Sequence, residues 1–278
     1  MPTLFIVSTP IGNLADITYR AVEVLGSVDR VLAEDTRRTG ILCRHYGIET
    51  PLVSLHEHNE AARVEQVVQW LDDGDDLALV SDAGTPLVSD PGGRVVRAAT
   101  DAGYRVVPVP GASAVMAALV AAGLPVEPFT FFGFLPRSGG VREDRLSELA
   151  ALPHTAVVYE SPERLVALLD ELAERSSPSR RVAVAREVTK VHEEYRRGTL
   201  GSVADHYRDA GVKGEVVVVL DAAEGVPTAV DDEAAAALAR ALLEDGGRPS
   251  TVAKEVARRL GVARNRAYEI VQGLKDDG

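Results

Sequence analysis

Two loops built on glycine and proline hold the residues with the clearest chemical use in this chain. Ser8-Thr9-Pro10-Ile11-Gly12-Asn13-Leu14 follows the apolar run Leu4-Phe5-Ile6-Val7. Ser81-Asp82-Ala83-Gly84-Thr85-Pro86-Leu87-Val88-Ser89-Asp90-Pro91-Gly92 follows Leu77-Ala78-Leu79-Val80. Each reads as a buried parallel strand ending in a tight turn, which is where open α/β sheets bind ligands. Gly12 and Gly84 allow positive φ and close backbone approach, while Pro10 and Pro86 stiffen the turns. A third strand end, Pro110-Gly111-Ala112-Ser113, has the same character. No G-x-G-x-x-G follows the first strand and no G-x-x-x-x-G-K-[ST] occurs, so dinucleotide and P-loop nucleotide binding lose support. His56 and His58 alternate, and on an extended segment they face one side. No third metal ligand accompanies them, and no metal is expected.

These loops need a sheet to position them. Strand patterns at 4–7, 30–33, 77–80 and 106–109 alternate with helical patterns such as 17–25 and 60–71, the mark of βαβ units and a mostly parallel sheet. A second α/β region has strand patterns at 129–133, 155–159, 181–186 and 215–220, with helical patterns at 142–151 and 162–175. The expected organisation is an N-terminal α/β domain (1–112), a second α/β domain (113–223), an acidic linker with Pro227 (224–232) and a helical module (233–278). A chain of 278 residues, 46% hydrophobic and 26% charged, can bury a core of that size. Cys43 is the single cysteine, so an internal disulfide and a cysteine zinc site are excluded. The chain opens on a strand pattern without a basic, apolar leader, and no apolar run approaches a membrane span. A cytoplasmic protein with no membrane partner is expected. The net charge of −12 argues against nucleic-acid binding by the whole surface, but not by a local basic face.

The ordered set Ser8–Thr18, Ala33-Glu34-Asp35-Thr36-Arg37, His56-Glu57-His58-Asn59-Glu60, Ser81–Gly92, Phe132-Gly133-Phe134-Leu135-Pro136, Tyr159-Glu160-Ser161-Pro162-Glu163-Arg164 and Arg186-Glu187-Val188-Thr189-Lys190 resembles one family. It is the tetrapyrrole-methylase superfamily, in the branch of small-subunit ribosomal RNA (cytidine-2′-O) methyltransferases. Porphyrin-precursor methylases carry Gly-x-Gly-Pro-Gly-Asp in the first loop. Thr9-Pro10-Ile11-Gly12-Asn13 stands there in this chain, which favours the RNA branch. The resemblance implies two α/β domains with S-adenosyl-L-methionine in the cleft between them, a homodimer, and a cytidine in the decoding centre of 16S ribosomal RNA, free or in the small ribosomal subunit, as substrate. It points to Pro10, Ile11, Gly12, Asp82, Gly84, Thr85, Val88, Ser113, Ala114, Tyr159, Lys213 and Gly214 for the cofactor. Other readings are a tetrapyrrole or diphthamide-pathway methyltransferase of the same fold, and a DNA-binding regulator with an α/β sensor.

Methyl transfer to a ribose hydroxyl needs alignment, and a group to accept the proton or stabilise the developing charge. Asp35, Lys190 and Glu187 are the candidates, with Glu34, His56, Glu57, His58 and Glu193 also in view. Asp35 beside Arg37 and Arg38 reads either as a base or RNA-orienting carboxylate, or as a helix N-cap. Lys190, one of four lysines, reads as an alkoxide stabiliser or as the partner of Glu187 or Glu193.

From Arg248 to Lys275 the chain has seven basic and two acidic residues, reversing the overall sign. Two helices divided near Leu260-Gly261-Val262, the first capped by Ser250 or Thr251, resemble a helix-turn-helix. Arg258, Arg259, Arg264 and Arg266, together with Arg37 and Arg38, are the expected RNA contacts.

Overall fold

The computed structural model describes residues 2–223, 232–244, 247–260 and 264–276. Five parallel strands make the first sheet: β1 (Thr3–Val7), β2 (Arg30–Ala33), β3 (Leu52–Ser54), β4 (Leu77–Val80) and β5 (Arg105–Val109), in the order β3-β2-β4-β1-β5. Apolar side chains on both faces of β1, β2 and β4 explain why helices must cover both sides. On one face Val7, Val31 and Ala78 pack on Ala21 and Leu25 of α1 (Tyr19–Ser27) and Leu42 of α2 (Thr36–Tyr46). On the other, Leu4, Leu32 and Leu77 pack on Val67 and Leu71 of α3 (Glu60–Asp72) and Val95 and Ala99 of α4 (Gly93–Asp101). β3 has no sequence expectation behind it: it is a half-buried, three-residue edge strand.

After α5 (Ala114–Ala121) a mixed sheet follows: β6 (Phe129–Phe134), β7 (Thr155–Glu160), β8 (Arg181–Arg186), β9 (Glu194–Thr199) and β10 (Val216–Leu220), ordered β6-β7-β10-β8-β9. Only β6 and β7 run parallel; the other pairs are antiparallel. One face carries α6 (Gly140–Ala151), α7 (Pro162–Arg175) and α8 (Leu200–Ala210), whose Leu146, Leu165, Leu168 and Val203 cluster with Val184 and Val218 of the sheet. The opposite face packs Val157, Ala185 and Val217 against Val115, Ala118 and Leu119 of α5 and against Ile11 from the first loop. Residues 1–221 form one compact unit holding both sheets.

Residues 222–278 form a second unit. Its helices α9 (Asp232–Glu244), α10 (Pro249–Leu260) and α11 (Arg264–Asp276) bury Ala235, Ala239, Val252, Val256, Ala267 and Val271. α10 begins at Pro249, a residue well suited to a first helical turn, so Ser250 and Thr251 lie inside the helix and not at its cap. Of the expected linker at 224–232, residues 224–231 lie outside the described residues and Asp232 already opens α9; of the expected turn Leu260-Gly261-Val262, Leu260 ends α10 and the other two lie outside the described residues. Among the described residues no helix is long and apolar enough to cross a membrane, and no group of three or more His, Cys, Asp and Glu is placed to hold a metal.

Candidate functional site

β4, β1 and β5 are neighbours in the first sheet, so the three glycine–proline loops leave adjacent strand ends. The loops are tied together. Thr9 and Gly84 exchange two backbone hydrogen bonds of 2.9 and 3.0 Å. Ser8 Oγ donates to Thr85 Oγ1 at 3.2 Å, and Thr85 Oγ1 donates to the Ala112 carbonyl at 3.1 Å. Gly84 has φ +84°, and a Cβ there would stand 3.1 Å from Ile11 Cγ2. Leu87 and Ser89 hold left-handed φ of 72° without being glycine. Such strain persists where surrounding packing enforces it, often at ligand sites.

A cavity of about 390 Å³ opens over these loops. Ile11, Gly84, Thr85, Val88, Ser113 and Ala114 line it from the first-sheet side, and Phe134, Tyr159, Gly214 and Val217 from the second. Ser113 is also the N-cap of α5, accepting from the Met116 N–H. Five carboxylates line the wall, Glu34, Asp82, Asp90, Glu160 and Glu215, and Glu34, Asp82 and Asp90 are close enough for their charges to act on one another. Burial pushes the Asp90 carboxyl up to about 6, against a hydrogen bond from Ser81, and the charges of Glu34 and Asp82 add to the rise. Burial also raises Glu34, opposed by the Asp82 backbone. Tyr159 is pushed up to about 12, mainly by burial and then by Asp90. The side chain of Glu160 is fully buried; its Oε1 pairs with Arg164 and accepts from the Ser161 N–H, while its Oε2 has no hydrogen-bond partner.

Of the expected cofactor residues, Pro10, Gly12 and Lys213 do not line this cavity. Pro10 faces a small neighbouring pocket with Leu14, Arg38 and Leu42. Gly12 serves a different close approach: a Cβ there would lie 2.4 Å from Lys190 Cγ and 3.0 Å from the Val188 carbonyl. The Asn13 N–H donates to Thr189 Oγ1 at 3.1 Å, so the first loop is docked on residues 187–193.

The catalytic candidates also move. Asp35 caps α2, accepting from the Arg37 N–H at 2.9 Å and pairing with the Arg37 guanidinium at 2.8 and 3.1 Å. Those bonds hold its carboxyl at about 2, and it does not line the cavity. Its neighbour Glu34 does, because α2 starts one residue past the turn that aims Glu34 inward. Lys190 Nζ bonds Glu187 Oε1 at 2.8 Å and Glu215 Oε2 at 3.2 Å, and only Glu215 of the three reaches the cavity wall. Burial lowers the Lys190 amine, but the bonds to Glu187 and Glu215 prevail and it is raised overall. The bond to Lys190 likewise lowers Glu187. Lys190 is thus an ion-pair residue behind the wall.

Arg38 lines the cavity 3.6 Å from Asp82, and Arg37 is 90% exposed but engaged by Asp35. Arg259 and Arg266 are exposed and pair within their helices with Glu255 and Glu269. The side chains of Arg258 and Arg264 lie outside the described residues. His56 and His58 stack edge to face, centroids 6.0 Å apart.

Sequence reasoning missed Asp90, Glu160 and Phe134 as site residues, although each lies in a quoted motif. The available signal was position: Asp90 lies close to the end of the second loop, and Phe134 and Glu160 end parallel neighbouring strands.

Residues 3–204 match the model of the tetrapyrrole (corrin/porphyrin) methylases. The chain is similar to ribosomal RNA small subunit methyltransferase I of Mesorhizobium japonicum, 46% identical with 99% of this chain and 93% of that protein covered. The protein of the same name from Synechocystis sp. is 40% identical, with both chains covered in full. Among solved structures, uroporphyrin-III C-methyltransferase from Thermus thermophilus with bound S-adenosylhomocysteine superposes with a TM-score of 0.58 at 20% identity, covering 80% of this chain and 97% of that one, a likeness of fold. On these grounds the chain belongs to the tetrapyrrole methylase family, in the group of ribosomal RNA small subunit methyltransferases I.

Proposed function

We propose that this protein methylates small-subunit (16S) ribosomal RNA from S-adenosyl-L-methionine, at the 2′-hydroxyl of a cytidine in the decoding centre. The carrying observation is a cavity at three tied strand ends whose wall combines apolar side chains with carboxylates, in a chain similar over its whole length to small-subunit rRNA methyltransferases. Its size suits a small-molecule site. The residues fit this methyl donor. Ile11, Val88 and Val217 offer apolar walls, Asp82 and Asp90 face a ligand that carries positive charge, and Glu160 Oε2 is a buried acceptor that an amino group would satisfy.

When bound, the cofactor supplies an electrophilic methyl group. The part left to the chain is to fix the line of approach between that methyl group and the hydroxyl. Asp90, titrating near 6, is ionised at neutral pH yet basic enough to accept the hydroxyl proton, whereas Asp35 at about 2 is a poor acceptor. A homodimer in the cytoplasm goes with this reading.

The test is transfer of labelled methyl to small ribosomal subunits from cells lacking this protein, followed by nucleoside analysis. Labelled 2′-O-methylcytidine is expected. Label on a base, or transfer only to a precorrin-type substrate, would overturn the reading.

A further inference from the structure

Phe134, the last residue of β6, stands at the mouth of the cavity with 57% of its surface exposed.

The strand is shaped to put it there. β6 pairs with β7 in step through Phe131–Val157 and then slips, so that Phe134 stands opposite Tyr159. Three residues on β6 advance against two on β7, which is a bulge, a device that re-aims side chains near active sites. Gly133 takes φ +64° in that bulge, and a Cβ there would stand 3.2 Å from Ser89 Oγ. The Phe134 ring is braced by Tyr159, centroids 5.3 Å apart.

Phe134 lines a second groove as well, with Arg137, Ser161, Glu163 and Arg164. Arg164 is engaged by Glu160, Ser161 Oγ and the Leu135 carbonyl. Arg137 is exposed, with no hydrogen bond or ion pair among the described residues. A braced, exposed aromatic ring beside a free guanidinium is the chemistry that holds unstacked nucleotides: a base stacks on the ring and a phosphate meets the cation. The groove and the cavity share Phe134 and Ser161, so the two adjoin.

We propose that Phe134 and Arg137 form a clamp for the acceptor nucleotide of a single-stranded RNA segment, Phe134 stacking on a base and Arg137 neutralising a neighbouring phosphate. The clamp rests on the RNA-methylation reading and names the positioning residues it lacks.

The test uses the full chain saturated with S-adenosylhomocysteine and a fluorescent hexamer of cytidine ribonucleotides, read by anisotropy. Phe134→Ala should weaken binding about tenfold or more, the scale of lost base stacking. Phe134→Trp should restore it, and Phe134→Leu should not. Arg137→Gln should lower the slope of log affinity against log salt by about one. Equal binding by wild type and Phe134→Ala, restoration by leucine as good as by tryptophan, or no binding by wild type would overturn the clamp. Methyl transfer to small subunits separates the two ideas. Phe134-dependent RNA binding without any transfer removes the methylation reading and leaves the clamp. Normal transfer by Phe134→Ala removes the clamp alone.

Discussion

Thr9 and Gly84 bridge the first two loops as a two-bond antiparallel pair, Thr9 N–H to Gly84 O at 2.9 Å and Gly84 N–H to Thr9 O at 3.0 Å. That bridge couples the turn after β1 to the turn after β4, and it exists because Gly84 can hold φ +84°.

Gly84→Val should therefore abolish cofactor binding. The substitution forces a β-branched residue into left-handed backbone and drives its Cβ toward Ile11, 3.1 Å away. Calorimetry with S-adenosylhomocysteine checks this; unchanged affinity would remove Gly84 from the site. Gly26→Ala is the matched control. It sits in α1 with nothing within 4 Å of its would-be Cβ, and should be neutral or stabilise by up to about 1 kcal/mol.

Asp90 gives a pH signature. Its folded pKa of about 6 lies above the ordinary carboxylate range, so ionising it costs stability as pH rises through 6. Asp90→Asn should raise the melting temperature of the cofactor-free protein at pH 8 and leave it unchanged near pH 4, where the native carboxyl is already neutral. Methyl-transfer rate should fall below about pH 6 in wild type, and be low and flat in Asp90→Asn. Melting curves that shift equally at both pH values would contradict the raised pKa.

Asp35 and Asn are interchangeable as helix caps. Asp35→Asn should thus keep both the fold and most of the methyl-transfer rate, while Asp35→Ala should lower the melting temperature by roughly 2–4 °C. A hundredfold loss of single-turnover rate in Asp35→Asn, with cofactor affinity intact, would restore Asp35 as the base.

These cases show what was legible in the sequence and why. β1, β2, β4 and β10 are short, largely apolar and buried runs, and glycine and proline follow β1 and β4, so the strands and the ligand loops could be read directly. β9, Glu-Tyr-Arg-Arg-Gly-Thr, could not: it is a charged edge strand, half in water, with no apolar run to betray it. Asp35 against Glu34 turned on one residue of helix start, below the precision of any pattern. Phe134, Glu160 and Asp90 meet because β6 and β7 lie beside each other across from the β4 loop, a matter of topology that spacing along the chain does not encode.

Arg180 is a further residue that pattern reading passed over. It is 1% exposed and donates to the Asp221 carbonyl at 2.7 and 2.9 Å and to the Leu149 and Ala150 carbonyls at 3.0 Å, satisfying the end of α6. Arg180→Met would remove all four of those donated hydrogen bonds from a buried site, at a cost on the order of 3 kcal/mol. Arg145→Gln, which breaks only the exposed pair with Glu148, should change stability by less than about 1 kcal/mol. Urea unfolding of both variants decides this, and equal midpoints would refute the carbonyl-anchoring role.

The C-terminal unit tests where RNA is gripped. Residues 1–221 cluster as their own unit, and the apolar side chains buried by α9, α10 and α11 form a separate cluster. A chain ending at residue 223 should therefore fold and bind cofactor with near-normal affinity. The segment from Arg248 to Lys275 holds seven basic and two acidic residues against a chain total of −12. Arg259, Arg266 and Glu269 are exposed and Glu255 is half-buried, so solvent and salt screen both pairs and a phosphate can compete for the two guanidinium groups. Truncation should weaken binding to small subunits and flatten its salt dependence, because fewer counterions are released. Neutralising Arg258, Arg259, Arg264 and Arg266 together should reproduce most of that loss. A purely structural unit predicts the opposite pair of results: aggregation or lost cofactor binding on truncation, and a normal salt slope in the four-arginine variant. Affinities at three salt concentrations for wild type, truncation and the four-arginine variant separate a phosphate grip from a packing role.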